Sequence, residues 1–150
     1  MAFISTEFWG LNEIQKELET LCTDSELKKI NKNIVKKAGV IGQDEAKKEM
    51  RAKAYSSNPI KSGRRGSRTG EHAADNVPKK PSTQSGNYGE VIGWEKSDTS
   101  PYYYVKFHEW GSSMHKPKEF MLEAAKPTYI ALKSIAEEEY QKVLQEKLGG

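Results

Sequence analysis

Three features of the chain predict an α+β fold with two N-terminal helices, a small antiparallel β-sheet carrying a long basic loop, and a long C-terminal helix. Residues 11–54 place apolar side chains at steps of three and four, the period of an amphipathic helix. Residues 88–96 alternate aromatic and β-branched side chains with polar ones, as a strand does. From residue 118 onward the helical period returns and persists almost to the end of the chain. With 150 residues, the chain has room for one domain and one modest core.

Leu11, Ile14, Leu18 and Leu21 form the apolar stripe of a first helix. Thr23, Asp24 and Ser25 interrupt it and offer side-chain oxygens to cap a second helix. That helix is expected over residues 25–54. Leu27, Ile30, Ile34, Ala38, Ile41, Met50 and Ala54 lie on its stripe, and Lys28, Lys29, Lys32, Lys36, Lys37, Lys47 and Lys48 lie opposite. Gly39 and Gly42 each cost a helix interior about 1 kcal/mol relative to alanine, and they permit a kink or a close crossing. Residues 56–86 are rich in Pro, Gly and Ser and read as a long flexible loop. Between Lys61 and Lys80 six bases (Lys61, Arg64, Arg65, Arg68, Lys79 and Lys80) face two acids, a local charge of +4 against +3 for the whole protein.

A strand over residues 88–96 sets Tyr88, Ile92 and Trp94 on one face and Val91 on the other. Residues 97–101 form a turn. The next segment fits two periods: Tyr103, Val105 and Phe107 alternate like a strand, whereas Tyr103, Phe107 and Trp110 are spaced like a helix. Ser100 as N-cap, Pro101 at the first helical position and Gly111 just past the end favour a short helix. Past Pro117 a short helix over 118–125 is expected, with Pro127 kinking or restarting the chain into a final helix to about residue 147. Its stripe is Tyr129, Leu132, Ile135, Ala136, Tyr140, Val143, Leu144 and Leu148.

Hydrophobic residues make up 35% and charged residues 30% of the chain, so core material is lean and part of the chain is expected to order only against a partner. The single cysteine, Cys22, excludes an internal disulfide, suits a reducing compartment and reads as a buried small hydrophobe. Residues 1–10 contain no basic leader and no long apolar run, so no secretory signal is expected, and nowhere in the chain do 18 apolar residues run together, so no membrane span is expected.

Catalytic chemistry finds no foothold. His108, Glu109 and His115 match no metal-ligand spacing, because an HExxH motif would need histidine where Ser112 stands. Glu109 reads instead as a hydrogen-bonding or ion-pairing residue at a turn. The run from Gly63 to Gly70 lacks the Gly-Lys-Ser/Thr ending of a phosphate cradle. No nucleophile–base set can be assembled, so no enzymatic activity and no cofactor are expected. The basic loop has two readings: it stays solvated or binds an acidic protein surface, or it touches a DNA backbone in a salt-sensitive way. Tyr55 and Tyr88 flank the loop without interleaving with its bases, which argues against base stacking.

The densest signal lies between Ser100 and Phe120. Tyr102, Tyr103, Tyr104 and Phe107 lead into Glu109-Trp110-Gly111-Ser112, and Pro117-Lys118-Glu119-Phe120-Met121-Leu122 opens the last helix. Upstream stand Pro59-Ile60-Lys61-Ser62-Gly63 and His72-Ala73-Ala74-Asp75-Asn76-Val77. In order and spacing these pieces, over residues 10–146, resemble the neck or tail-completion family of long-tailed bacteriophages, also called minor tail proteins. Trp110 departs from the commoner Phe, and the segment after Gly63 is richer in Arg and Gly than in that family. The resemblance implies a single domain over residues 1–150. It implies a non-enzymatic virion component, made in the bacterial cytoplasm, that forms a hexameric or dodecameric ring of copies at the head–tail junction or tail top. Head-closure, connector, tail-tube or terminator proteins would be its neighbours. Tyr102, Tyr103, Phe107, Glu109, Trp110, Gly111 and Phe120 would then be its packing hub, and the Lys61–Lys80 loop would reach a neighbouring ring or the DNA channel. On that view, deleting residues 61–80 leaves the fold intact. The alternative is a small protein that binds nucleic acid non-specifically through the same loop.

Overall fold

The computed structural model describes residues 12–54, 72–84, 87–95, 97, 99–102, 105–114 and 116–149. Helix α1, Asn12–Leu21, buries Leu18 completely and closes with the Cys22 N–H donating to the Leu18 carbonyl at 2.8 Å. Thr23 then starts α2, Asp24–Glu49, with a capping box. The Glu26 N–H donates to Thr23 Oγ1 at 3.2 Å, and the Thr23 N–H donates to Glu26 Oε2 at 2.8 Å. Asp24 and Glu26 in the first turn and Lys47 and Lys48 in the last complement the helix dipole. A π-helical turn, Met50–Ala54, continues α2.

The final helix, α4, runs from Phe120 to Gly149 and lies antiparallel along α2. Contacts between the two helices run in opposite order along them. Glu26 pairs with Lys147 at 3.1 Å, Tyr140 donates its hydroxyl to Asn31 Oδ1 at 2.5 Å, Lys37 meets Glu139 at 2.5 Å and Lys53 reaches Glu123 at 4.0 Å. Between these polar contacts lie two apolar layers. Leu18, Cys22, Ile34, Ala38, Leu132, Ala136 and Tyr140 form one, which holds α1 against the helix pair. The other gathers Ala46, Met50, Phe120, Met121 and Ala124 with the segments that cross the upper end of the pair.

α4 is one continuous helix, so Pro127 neither restarts nor ends it. Phe120, Met121 and Ala124 before the proline, and Thr128, Leu132 and Ala136 after it, are all buried. A single interior proline costs about 3 kcal/mol, which burial on both sides outweighs. Thr128 also turns its hydroxyl back onto the Ala124 carbonyl at 2.7 Å. Of the expected stripe, Tyr129 and Leu148 fall outside the core.

The expected loop over 56–86 is corrected for residues 72–84, which are ordered; residues 55–71 and 85–86 lie outside the described residues. His72 starts a 3-10 turn, Ala73–Asn76, its Nδ1 accepting the Ala74 N–H at 3.1 Å. Ala73 and Ala74 are buried, Asp75 pairs with Lys47 and Arg51 at 2.8 Å each, and the Val77 carbonyl accepts from Gln43 at 2.6 Å. Strand β1, Lys79–Gln84, pairs antiparallel with β2, Asn87–Ile92, in the register Lys79↔Ile92 to Gln84↔Asn87. Lys79 and Lys80 are therefore strand residues. Pro81 is tolerated because β1 has a single partner, and the missing N–H is lost from an edge. A deletion of residues 61–80 would remove Ala73, Ala74 and Val77 from the core, so it would not leave the fold intact.

The hairpin lies against α2 where that helix has no side chains. A Cβ on Gly39 would collide with the Glu90 carboxylate, and one on Gly42 would stand 2.5 Å from Ile92 Cδ1 and 3.0 Å from Thr128 Cγ2. The glycines thus admit both the sheet and α4. Past β2, Gly93 takes φ 107°, and Trp94 turns into the core.

Gly42→Val should lower unfolding stability by about 2 kcal/mol or more, because overpacking costs exceed the gain in helix propensity. Val40→Ala, at an exposed site on the same helix, should change it by less than about 0.5 kcal/mol. Urea unfolding followed by circular dichroism measures both.

Candidate functional site: the aromatic corner

The corner is built from a six-residue helix, α3, Val105–Trp110, held between β2 and the start of α4. Ser100 Oγ accepts the Tyr102 N–H at 3.3 Å, and the Tyr102 carbonyl accepts the Val105 N–H at 3.0 Å. The expected N-cap at Ser100 thus becomes a turn preceding the helix, which starts only at Val105. Gly111, at φ 78°, ends α3 as its position suggests. Tyr102 packs obliquely on Trp94, ring centroids 6.5 Å apart, and Val105 faces inward beneath them.

Glu109 joins α3 to α4. Its Oε2 accepts the Met121 N–H at 3.0 Å, within the otherwise unsatisfied first turn of the long helix. Beside this cap, the Lys118 N–H donates to the His108 carbonyl at 2.8 Å and the Glu119 N–H to the Glu109 carbonyl at 3.4 Å. Glu119, at φ 50°, takes the left-handed conformation that turns the chain into α4. Burial pushes the Glu109 carboxyl above its ordinary value, and the N–H groups of Met121, Leu122 and Phe120 pull it part of the way back.

The proposed hub divides in two. Tyr102 and Phe120 are internal, whereas Phe107 is 47% and Trp110 39% exposed. Phe107 carries Lys106 Nζ over its ring at 5.7 Å. Trp110 lines a crevice with Glu109, Gly93, Trp94, Phe120 and Met121. Tyr103 lies outside the described residues. Just past α3, Met114 is 85% exposed, a site that sequence reasoning passed over. Leu122 and Ile130 on α4 were missed likewise, at 53% and 69% exposed. Their signal was present, since both stand off the stripe that packs on α2.

Of the basic set, only Lys79 and Lys80 fall among the described residues. Lys61, Arg64, Arg65 and Arg68 lie outside the described residues. Lys79 turns toward the buried Glu90 carboxylate at 3.9 Å, and Lys80 is exposed on β1. Among the described residues no three His, Cys, Asp or Glu side chains cluster so as to hold a metal ion, and no helix is long and apolar enough to cross a membrane. What the corner offers chemically is exposed apolar surface, from Phe107, Trp110 and Met114. Compared with known proteins, the chain matches no family model, no curated protein and no solved structure.

Glu109→Ala should cost about 1 to 2 kcal/mol by uncapping α4, and Glu109→Gln less, since an acceptor remains. A carboxyl whose folded pKa is raised binds its proton more tightly when folded. The stability it contributes is present at acid pH and is lost as pH climbs through the raised value. Wild-type stability relative to Glu109→Gln should therefore fall as pH rises from the acid side through that raised value. The lowered acids Asp75, Glu26, Glu123 and Glu139 act in the opposite direction and cancel in the comparison. Chemical denaturation at stepped pH measures the difference.

Proposed function

We propose that this chain is a structural virion protein of a tailed bacteriophage, assembling as a ring of its own copies at the head–tail junction or tail top. The observation that carries the proposal is the outward presentation of Phe107, Trp110 and Met114 on a corner whose backbone is pinned by Glu109 to the longest helix. Aromatic side chains and methionine are the residue types that concentrate in the buried centres of protein interfaces. The order of short motifs along the chain adds support. The His72–Val77 piece makes a turn that staples β1 to α2, and the Glu109-Trp110-Gly111 piece makes the cap and stop between α3 and α4. In a closed ring each copy's corner meets a different surface of its neighbour, so no apolar edge is left over. Neighbouring head-closure, connector or tail-tube proteins would cover the ring's two faces, and the basic segment around Arg64 and Arg68 would meet one of them or the DNA.

Native mass spectrometry of the full chain, or of disrupted phage particles, should show six or twelve copies of the 16.9 kDa protein. Phe107→Asp with Met114→Asp should reduce it to monomers while thermal unfolding shifts by no more than a few degrees. A wild-type chain that stays monomeric and is absent from purified tailed particles would overturn the proposal. An electrophoretic shift with duplex DNA that vanishes between low and moderate salt would favour the nucleic-acid-binding alternative.

A further inference from the structure

The N-terminal half of α2 carries a lysine ridge that the fold itself does not use. Between Leu27 and Gln43 the helix holds five lysines and no acid. Lys37 is engaged by Glu139 across the α2–α4 contact. The other four, Lys28, Lys29, Lys32 and Lys36, are exposed, and steps of three and four place them on one side of the helix. None of these four makes an ion pair among the described residues. Asp24, one turn before Lys28, does not pair with it, and Glu26 is held by Lys147 at 3.1 Å. Lys32 Nζ stands 5.2 Å from the centroid of the Tyr88 ring, a contact that positions the ammonium without neutralising it.

We propose that this ridge binds the phosphodiester backbone of double-stranded DNA, with Lys28, Lys29, Lys32 and Lys36 each meeting a phosphate and none of them reading a base.

Spacing, residue type and repulsion select this partner. Lys28 and Lys36 are eight residues apart, about 12 Å along the helix axis. One strand of a duplex presents a phosphate about every 3.4 Å of its axis, so a stretch of that length offers one to each ammonium. Lysine meets phosphate as a point charge and is depleted from the centres of protein–protein interfaces, so an acidic protein surface is the poorer fit. No aromatic side chain stands among the four lysines on α2 to stack on a base, which leaves the backbone as the contact. Like charges one turn apart on a helix repel, and Lys28, Lys32 and Lys36 repeat that arrangement twice. A bound polyanion relieves the repulsion. The ridge is separate from the α3 corner and from the Lys61–Lys80 segment, so the proposal does not rest on ring formation.

The test follows binding of the full chain to a short fluorescent DNA duplex by anisotropy at stepped salt. Combining Lys28→Gln, Lys29→Gln, Lys32→Gln and Lys36→Gln should weaken binding at least about tenfold at about 50 mM salt. Each of these changes alone should make the log–log salt slope shallower by about 1. Arginine at the same four positions keeps the charge and should keep the binding. Circular dichroism on heating should show the glutamine variant unfolding no more readily than the wild type, since it removes repulsion and retains helix propensity. A wild-type chain that does not bind at low salt, or a glutamine variant that binds as the wild type does, overturns the proposal. So does a loss confined to a chain carrying Arg64→Gln, Arg65→Gln and Arg68→Gln, which would place the contact in the loop of the nucleic-acid-binding alternative. Competition by polyglutamate as effective as by unlabelled duplex at equal charge also overturns it, assigning the ridge to an acidic protein. Native mass spectrometry reads ring formation separately, so neither result decides the other.

Discussion

The antiparallel contact of α2 with α4 is the constraint on which the rest of the structure depends. Every other described element packs on that pair: α1 at the end near Lys147, and the 3-10 turn, the hairpin and α3 at the end near Phe120. The ion pairs along the spine, such as Lys37–Glu139 and Glu26–Lys147, are exposed on at least one side and contribute little stability. The two apolar layers must hold it together, and they are small. That explains Gly39 and Gly42 inside a 26-residue helix. Their propensity cost is offset only because they bring the sheet and α4 close enough to complete the upper layer.

A second consequence concerns α3. A helix of six residues has no independent stability, because nucleation consumes most of what so few hydrogen bonds supply. Its position is set from outside, by Val105 and Tyr102 in the core and by Glu109 on the first turn of α4. The carboxylate loses hydration there, yet the α4 N–H groups return part of that loss, and one side chain thereby orients a whole corner. Phe107 and Trp110 face outward because Val105 and Glu109 face inward.

Elements with local causes were legible in the amino-acid sequence. The cap of α2 falls on Thr23, one of the three residues whose oxygens mark that boundary in the sequence, and Leu18, Ile34, Leu132, Ala136 and Tyr140 sit where helical spacing puts them. Strand β1 was not legible, since Lys79-Lys80-Pro81-Ser82-Thr83-Gln84 contains residues that strands avoid and is extended only because β2 and α2 hold it. Continuity through Pro127 was hidden for the same reason, as burial on both sides overrides a strong local signal. At the corner, Glu109 was legible as a hydrogen-bonding turn residue, but its partner Met121 is twelve residues away and no local pattern links them. Nor does the tyrosine-rich stretch reveal by itself that Tyr102 goes inside while Phe107 and Trp110 stay out.

That division bears on how an assembly of such chains would be held. Phe107, Trp110 and Met114 cannot supply, between two copies, the roughly 1,000 Å² that a stable isolated interface requires. A pair of copies joined only there would be short-lived. Ring closure changes the balance, because the last copy makes two contacts while losing its translational and rotational freedom once. Weak corners then suffice collectively where one corner fails alone. A chain built in this way would stay monomeric until enough copies, or a pre-formed neighbouring layer, template the closure. A small, rigidly mounted aromatic corner on a polar protein is the form that this requirement favours.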